Sequence, residues 1–180
     1  MSTATKPPIP ATLENRVVND EPMSAEAYLE RERAETENRH EFIDGWIIPV
    51  TGASYPHNLI VSNINGVLRS ALRDTDCRAT TNDLRVALPA AKTYAYPDVV
   101  VVCGEPELDE EHLDMLYNPR VLVETLSPTT EGYDRGEKFA RYRQLESLQE
   151  YVLVAQNRPY VEHYVRQDDA SWRFTETAGL

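Results

Sequence analysis

The hydrophobic positions along the chain follow two spacings, which predict the helices and the strands. From residue 57 to about residue 73, apolar side chains recur every three or four residues, which predicts an amphipathic helix. A similar spacing predicts another helix over 137–148. Ser24 is a typical N-cap, so a further helix is expected to begin at Ala25. The pattern therefore predicts three helical segments.

Other segments are rich in β-branched and aromatic residues, as is typical of strands. Within 40–50, Asp44-Gly45 separates two apolar runs and favours a two-residue hairpin turn. Further strands are predicted at 77–88, 96–103, 120–126, 151–156, 159–167 and 171–177. The acidic segment 104–119 is predicted to be a surface excursion. This order of elements predicts an α/β or α+β domain, with a mixed β-sheet flanked by helices.

Composition favours one globular domain over 21–180, preceded by a loose arm over 1–20. The chain has 180 residues, of which 41% are hydrophobic, enough for a substantial core. The arm is rich in proline and lacks the apolar region of a signal peptide, and the apolar runs are too short to cross a membrane. Cys77 and Cys103 form neither a disulfide framework nor a metal motif. A reducing cytoplasm is therefore the expected location.

The net charge bears on the class of partner. At −12, it argues against broad electrostatic affinity for nucleic acid and favours a small-molecule enzyme or a protein partner. A local basic strip or a bound metal ion can still reverse the field at one site. A nucleic-acid enzyme therefore remains open.

Two carboxylates within apolar strands are candidate metal ligands. Asp98 stands before four valines, and Glu124 lies inside the run 120–126. If these two strands pair, the carboxylates converge on one point and repel each other unless a proton or a cation lies between them. Such hard oxygen ligands suit Mg²⁺ or Mn²⁺. The alternative, which is more common on spacing alone, is that Asp98 caps its strand and Glu124 is exposed or paired.

Basic residues follow these strands in the chain. Lys138 comes just after the predicted loop 127–136, from which its ammonium can reach the carboxylate pair. A lysine there positions or activates a metal-bound water, or stabilises charge on a phosphate. Arg135, Arg141 and Arg143 form the densest basic cluster of the chain and are candidates for contact with a phosphate backbone. The alternative is an ordinary amphipathic helix with a solvated basic face.

Taken in order, these residues resemble the PD-(D/E)XK nuclease superfamily, and within it the Uma-type family of bacterial restriction endonucleases. The resemblance runs from about residue 23 to residue 164. It rests on the motifs SAEAYL (24–29), EFIDGWI (41–47), PDVVVV (97–102), VETLSPTT (123–130), DRGEK (134–138) and YVLV (151–154), and on His57 at the start of a helix. The resemblance implies a restriction endonuclease-like fold and hydrolysis of DNA phosphodiester bonds with Mg²⁺ or Mn²⁺.

The same resemblance assigns roles to individual residues. It implies that Asp98 and Glu124 are metal ligands, with the carbonyl of Thr125 as a third oxygen. The superfamily's lysine, expected two residues after the acidic one, is replaced here by Leu126, and the family places the basic role on the following helix at Lys138.

Two further positions match the family less specifically. Glu41 matches its early acidic position and is a candidate metal or water contact, although an exposed place in the hairpin is equally compatible. His57 is a candidate for phosphate contact or proton relay, but a histidine at a helix start is more often a surface or capping residue.

DNA is the implied substrate, and a homodimer is expected because many nucleases of this fold pair their sites. The rival interpretations are a catalytically inactive nuclease-fold module that binds protein or nucleic acid, and a small-molecule metallohydrolase.

Overall fold

The computed structural model describes residues 15–81 and 83–179, and the elements named here are those of these ranges. In chain order they are α1 (Ala25–Ala34), β1 (Arg39–Ile43), β2 (Trp46–Val50), α2 (Tyr55–Ala71), β3 (Cys77–Thr81), β4 (Arg85–Leu88), a short 3-10 turn (Pro89–Ala91), β5 (Thr93–Ala95), β6 (Val99–Cys103), β7 (Met115–Leu116), β8 (Val121–Leu126), α3 (Glu131–Tyr133), a π-helical turn (Asp134–Lys138), α4 (Phe139–Tyr142), β9 (Glu150–Ala155), β10 (Tyr160–Arg166) and β11 (Trp172–Ala178).

The strands form two mixed sheets. The first sheet has the order β2-β1-β5-β4-β7 and the second has the order β11-β10-β9-β8-β6-β3. Neighbouring strands are antiparallel except in two parallel pairs, β4 with β7 and β8 with β9. The helical segment 131–142 lies in the connection between β8 and β9, because a parallel pair needs a crossover. The predicted α+β class with mixed sheet is confirmed, although the sequence did not predict that there are two sheets.

The predicted hairpin is present, with β1 and β2 joined by Asp44-Gly45. Ile43 pairs with Trp46, and both turn residues have positive φ, 47° for Asp44 and 95° for Gly45. A Cβ at Gly45 would lie 2.7 Å from the Cβ of Pro22, so the turn excludes a larger residue for steric as well as conformational reasons.

Part of the predicted N-terminal arm is fixed to this hairpin. Residues 1–14 of the arm lie outside the described residues. From residue 15 onward the chain is bonded to the hairpin: Asn19 Nδ2 donates to the Gly45 carbonyl at 2.9 Å, and Ile47 N donates to Asn19 Oδ1 at 2.8 Å. A guanidinium nitrogen of Arg16 also donates to the Pro49 carbonyl at 3.0 Å. These bonds hold 15–20 in place, where the sequence predicted a loose arm.

Three predicted elements differ from the structure. The predicted strand 77–88 is two strands, β3 in the second sheet and β4 in the first, separated by a bend at Asp83. The excursion 104–119 contains a buried strand, β7, which pairs with β4. The helix predicted over 137–148 instead occupies residues 131–142. It begins earlier because the amide of Glu131 donates a hydrogen bond to the Ser127 carbonyl at 2.9 Å.

The two cysteines, for which the sequence predicted no disulfide framework, are bonded to each other. β3 and β6 are antiparallel neighbours, and their register places Cys77 directly opposite Cys103. The two form a disulfide that joins the edge strand to the sheet. The cytoplasmic location therefore loses the support of two free thiols and stays a prediction. Over the described ranges, none of the helices is both long and apolar enough to cross a bilayer.

The strands β6 and β8 are buried on both faces. On one face, Val99 and Val123 pack with Val61 of α2. On the other, Val100 and Leu122 belong to the main core between the two sheets and the segment 131–148. Burial from both sides explains the continuous apolar runs in the sequence. This burial also fixes the backbone next to Asp98, which precedes Val99, and next to Glu124, which follows Val123.

Candidate active site

One cleft of about 510 Å³ collects side chains from both sheets, from α2 and from the helical segment 131–142. The residues predicted as catalytic or metal-binding all line it: Glu41, His57, Asp98, Glu124, Thr125 and Lys138. They come from β1, α2, β8, the residue before β6 and the π-helical turn. The structure therefore brings together residues separated by almost a hundred positions in the chain.

Asp98 is fixed at the start of β6. β6 pairs with β8 in a register that sets Val99 opposite Val123, which confirms the strand pairing expected from the sequence. The backbone amide of Thr125 donates to Asp98 Oδ2 at 2.7 Å. Asp98 therefore lies beside the Glu124-Thr125 peptide, held by backbone geometry.

His57 contacts Asp98 from the first turn of α2. Ser54 caps this helix, accepting a hydrogen bond from the His57 amide at 3.3 Å. The imidazole Nε2 lies 3.2 Å from Asp98 Oδ2, and Nδ1 is buried with no hydrogen-bond partner among the described residues. The hydrogen bond to Asp98 raises the pKa of His57 above its ordinary value, against the effect of burial. His57 is thus both a helix-start residue and part of the cleft.

Lys138 contacts Glu124, one of the two carboxylates that the sequence placed within its reach, and its second partner is Glu41 instead of Asp98. Its Nζ lies 2.8 Å from Glu124 Oε1 and 3.1 Å from Glu41 Oε1, and only 9% of its side chain is exposed. Burial acts to lower the pKa of Lys138, but Glu124 and Glu41 outweigh it and hold that pKa well above its ordinary value. Because Glu41 belongs to the first sheet and Glu124 to the second, the ammonium bridges the two sheets.

The two glutamates have further partners. Tyr142 donates its hydroxyl to Glu124 Oε1 at 2.9 Å, and the backbone amide of Tyr96 donates to Glu41 Oε1 at 3.3 Å. Burial holds the pKa of Glu124 above its ordinary value, opposed by Lys138 and reinforced by neighbouring carboxylates. The partner of Glu41 in this structure is Lys138, so its expected metal or water contact stays a prediction.

Sequence reasoning missed two residues of this group, Tyr142 and Asp134. Tyr142 follows Lys138 by four residues and was assigned to the apolar face of a helix. Asp134 precedes Lys138 by four residues, and its Oδ1 lies 3.8 Å from the ammonium. The spacing of four on each side of Lys138 is the signal that places all three on one helical face.

The predicted basic cluster does not line the cleft. Arg135 is paired with two glutamates, each at 2.8 Å, and Arg141 donates to the Ala91 carbonyl at 3.0 Å. The prediction that this cluster meets a phosphate backbone has no support in the geometry. The arginines that do line the cleft are Arg16 and Arg39, which the sequence did not single out.

The donor set of the cleft fits a hard divalent cation. Asp98, Glu124 and the Thr125 carbonyl offer only oxygen, and Mg²⁺ is usually held by one or two carboxylates together with waters and substrate phosphate. Among the described residues, the only three acidic, histidine or cysteine side chains whose ligand atoms lie within 4.8 Å of one another are Asp76, Cys77 and Cys103. This group is outside the cleft, and its two cysteines are bonded to each other, so it offers no thiolate to a metal. Of the carboxylates that line the cleft, Asp98 and Glu124 are the two that the family resemblance implies as metal ligands, with the Thr125 carbonyl as the third oxygen.

The mixed sheets and the cleft, with its clustered carboxylates and a lysine from a helical turn, are those expected of a nuclease fold. A crystal structure from Anabaena variabilis, described as a "putative nuclease belonging to DUF820", superposes with a TM-score of 0.72 at 20% sequence identity, covering 88% of this chain and 86% of that one. At this identity the likeness shows the fold.

The chain belongs to the Uma2 family, described as "Putative restriction endonuclease", whose model matches residues 25–179. Two Synechocystis relatives, both named only as uncharacterized proteins, support the assignment. The protein sll1609 is 37% identical over 157 residues, covering 87% of this chain and 88% of that protein. The protein slr1290 is 35% identical over 150 residues, covering 83% and 77% respectively. The family resemblance drawn from the sequence motifs is confirmed.

Proposed function

We propose that this chain is a metal-dependent endonuclease that hydrolyses DNA phosphodiester bonds. The observation that carries the proposal is the convergence of Asp98, Glu124 and Lys138 on one cleft. They come from a strand start, a strand interior and a helical turn, and all three line the same cleft. Membership of a nuclease family supports the same chemistry.

Asp98, Glu124 and the Thr125 carbonyl would hold Mg²⁺ or Mn²⁺. When bound, such an ion neutralises charge on the phosphate and makes a nearby water more acidic. The protein's own contribution is preorganisation. The Thr125 amide orients Asp98 and the Tyr142 hydroxyl orients Glu124, so each carboxylate has one fixed hydrogen-bond donor before substrate binds.

Lys138 supplies a positive charge from the protein itself, in addition to that of the metal ion. Its ammonium carries three N–H donors and lies against Glu124, from which it orients the attacking water or neutralises charge developing on the phosphate. Glu41 holds the ammonium from the opposite sheet. His57 Nε2 lies 3.2 Å from Asp98 Oδ2 and would keep that carboxylate in one orientation, and His57 is also the proposed residue for phosphate contact or proton relay.

DNA as the substrate is supported by the family and by the cleft rim. Arg16 and Arg39 line the cleft of a chain whose net charge is −12, and Arg39 pairs with Asp83 at 3.5 Å. Because the cleft has few basic residues, the bound cation has to supply much of the positive charge that meets the DNA. We therefore expect DNA binding to be weak without a divalent ion and to weaken further as salt increases.

The test is a supercoiled-plasmid nicking assay with Mg²⁺ or Mn²⁺. It compares wild type with Asp98→Ala and Lys138→Ala, each checked for native circular dichroism. Glu111→Ala is the matched control, because the Glu111 side chain is 83% exposed and lies outside the cleft. We expect nicking by wild type and by the control, and loss in both cleft variants. Nicking that survives Asp98→Ala would refute the mechanism. No cleavage of any nucleic acid would favour a nuclease-fold binding module.

A homodimer is proposed from the family resemblance, because many nucleases of this fold pair so that two sites meet the two strands of a duplex. The edge strand β11 has a neighbour on one side only and exposes 46% of Phe174, which offers a surface for pairing. Light scattering coupled to size exclusion gives the mass directly. A monomeric mass at micromolar concentration, with and without DNA, would contradict the pairing.

A further inference from the structure

A third carboxylate faces Lys138 from within its own helical turn. The Asp134 side chain is only 5% exposed, lines the cleft and places Oδ1 3.8 Å from the Lys138 ammonium. Together with Glu41 and Glu124 it surrounds the ammonium with three carboxylates. Each comes from a different element: β1, β8 and the π-helical turn.

The backbone around Asp134 is widened and anchored. Residues Asp134–Lys138 form a π-helical turn, a conformation that is rare and recurs at functional sites. The carbonyl of Asp134 accepts a hydrogen bond from the hydroxyl of Tyr151 at 3.0 Å, and Tyr151 is fully buried in β9. The amide of Asp134 donates to the Thr130 carbonyl at 2.9 Å. Both the amide and the carbonyl of Asp134 are hydrogen-bonded, so the backbone at Asp134 is fixed.

The charge balance argues that Asp134 does not serve stability. Three buried carboxylates surround one ammonium, and an uncompensated buried charge is costly. Burial raises the pKa of Asp134 above its ordinary value even though Lys138 opposes the shift. A neutral side chain of the same shape would place no third negative charge beside Glu41 and Glu124, so we expect removal of the Asp134 charge not to lower stability.

We infer that Asp134 is a positioning residue that, together with Glu41, keeps the Lys138 ammonium directed into the cleft when Glu124 engages another cation. Glu124 is the closest partner of Lys138 and is also a proposed metal ligand, so the two roles compete for one carboxylate. Asp134 and Glu41 then remain as partners and prevent the ammonium from turning away. This inference rests on the proposed function, because it assumes that Glu124 binds a cation.

The first test does not require activity. Lysine occurs only at positions 6, 92 and 138 of the chain, so limited acetylation by an N-hydroxysuccinimide ester can be read residue by residue by mass spectrometry. Lys92, whose side chain is 74% exposed, is the internal reference. Asp134→Asn keeps the shape and removes the charge. We expect the acetylation ratio of Lys138 to Lys92 to rise several-fold, and to rise further with Mg²⁺ present.

The matched control is Glu131→Gln. Glu131 lies in the same helical segment and is also an ion-pair partner at i,i+4, but its side chain is 51% exposed and pairs with Arg135. It should leave the ratio unchanged. An unchanged ratio in Asp134→Asn would overturn the inference, and so would an equal rise in both variants.

The second test separates positioning from structural support. We expect Asp134→Asn to unfold at the same temperature as wild type or higher, while kcat for plasmid nicking falls at least about tenfold and KM stays nearly constant. A lower unfolding temperature with unchanged kcat would show that Asp134 is structural. If wild type cleaves no nucleic acid, the proposed function fails, and the acetylation ratio still decides whether Asp134 holds Lys138.

Discussion

Replacing Lys138 with methionine tests the physical core of the site. The substitution keeps most of the length of the side-chain stem and removes only the ammonium. Glu124 and Glu41, whose side chains are 7% and 11% exposed, then lose their partner at 2.8 Å and 3.1 Å. Both carboxylates are largely buried, so water can reach them only from the cleft and replaces the ammonium incompletely.

The expected magnitude follows from that burial. Removing one partner of a buried ion pair costs about 3–5 kcal/mol of unfolding free energy, mostly because the other charge is left uncompensated. For a domain of this size, that corresponds to a fall of about 6–20 °C in unfolding temperature. Nicking activity should be lost together with the ammonium.

The control is Lys92→Met, which removes the other ammonium of the described chain. Lys92 pairs with Asp44 at 3.5 Å, but the two side chains are 74% and 49% exposed. An exposed pair contributes about 0–1 kcal/mol, so unfolding should change little. Both variants are measured by calorimetry and by urea denaturation at neutral pH.

A second substitution identifies the cause of the loss. Adding Glu41→Gln to Lys138→Met removes one of the carboxylates left without a partner, so part of the lost stability should return. Two results would refute the reasoning. One is a Lys138→Met protein no less stable than Lys92→Met, and the other is a double variant less stable than Lys138→Met alone.

Three other regions make separate predictions. Burial acts to raise the pKa of Asp114, but two arginines outweigh it and hold that pKa below its ordinary value. The ionised carboxylate therefore stabilises the fold at pH values above the ordinary pKa, and this stabilisation is lost as the pH falls through the lower pKa of the folded state. Asp114→Asn should therefore cost about 2 kcal/mol at neutral pH by urea denaturation and progressively less below about pH 4. Gly45→Ala should cost about 2–4 kcal/mol in the same assay, because φ is 95° and the new Cβ would lie 2.7 Å from Pro22. Reducing Cys77–Cys103, which closes a sequence separation of 26 residues, should cost about 3.5 kcal/mol, measured by unfolding with and without reductant.

Features encoded by neighbouring residues could be read from the sequence. The Asp44-Gly45 hairpin follows from two residues that adopt positive φ, and the α1 start follows from Ser24, whose Oγ accepts from the Ala27 amide at 3.2 Å. The strands β6 and β8 follow from runs of β-branched residues. Within the site, Asp98 and Glu124 could be singled out because a carboxylate in an apolar segment is costly to bury unless it is paired or binds an ion.

Features set by distant residues could not be read in this way. The run 77–88 looks continuous, and only long-range pairing assigns its halves to different sheets. Arg135 looked available for a phosphate, but its partner Glu162 is 27 residues away on β10. The π-helical turn has no periodic signal of its own, and the hydrogen bond from the Tyr151 hydroxyl to its Asp134 carbonyl comes from another element.

The bridge that Lys138 makes between Glu41 and Glu124 also constrains how this protein can evolve. The same ammonium serves the proposed chemistry and joins the first sheet to the second, so a lineage cannot discard it alone without loosening the contact between its two halves. A relative that has given up cleavage should have replaced the lysine and both glutamates together with apolar residues. A relative that keeps all three is under a selection that stability alone does not explain.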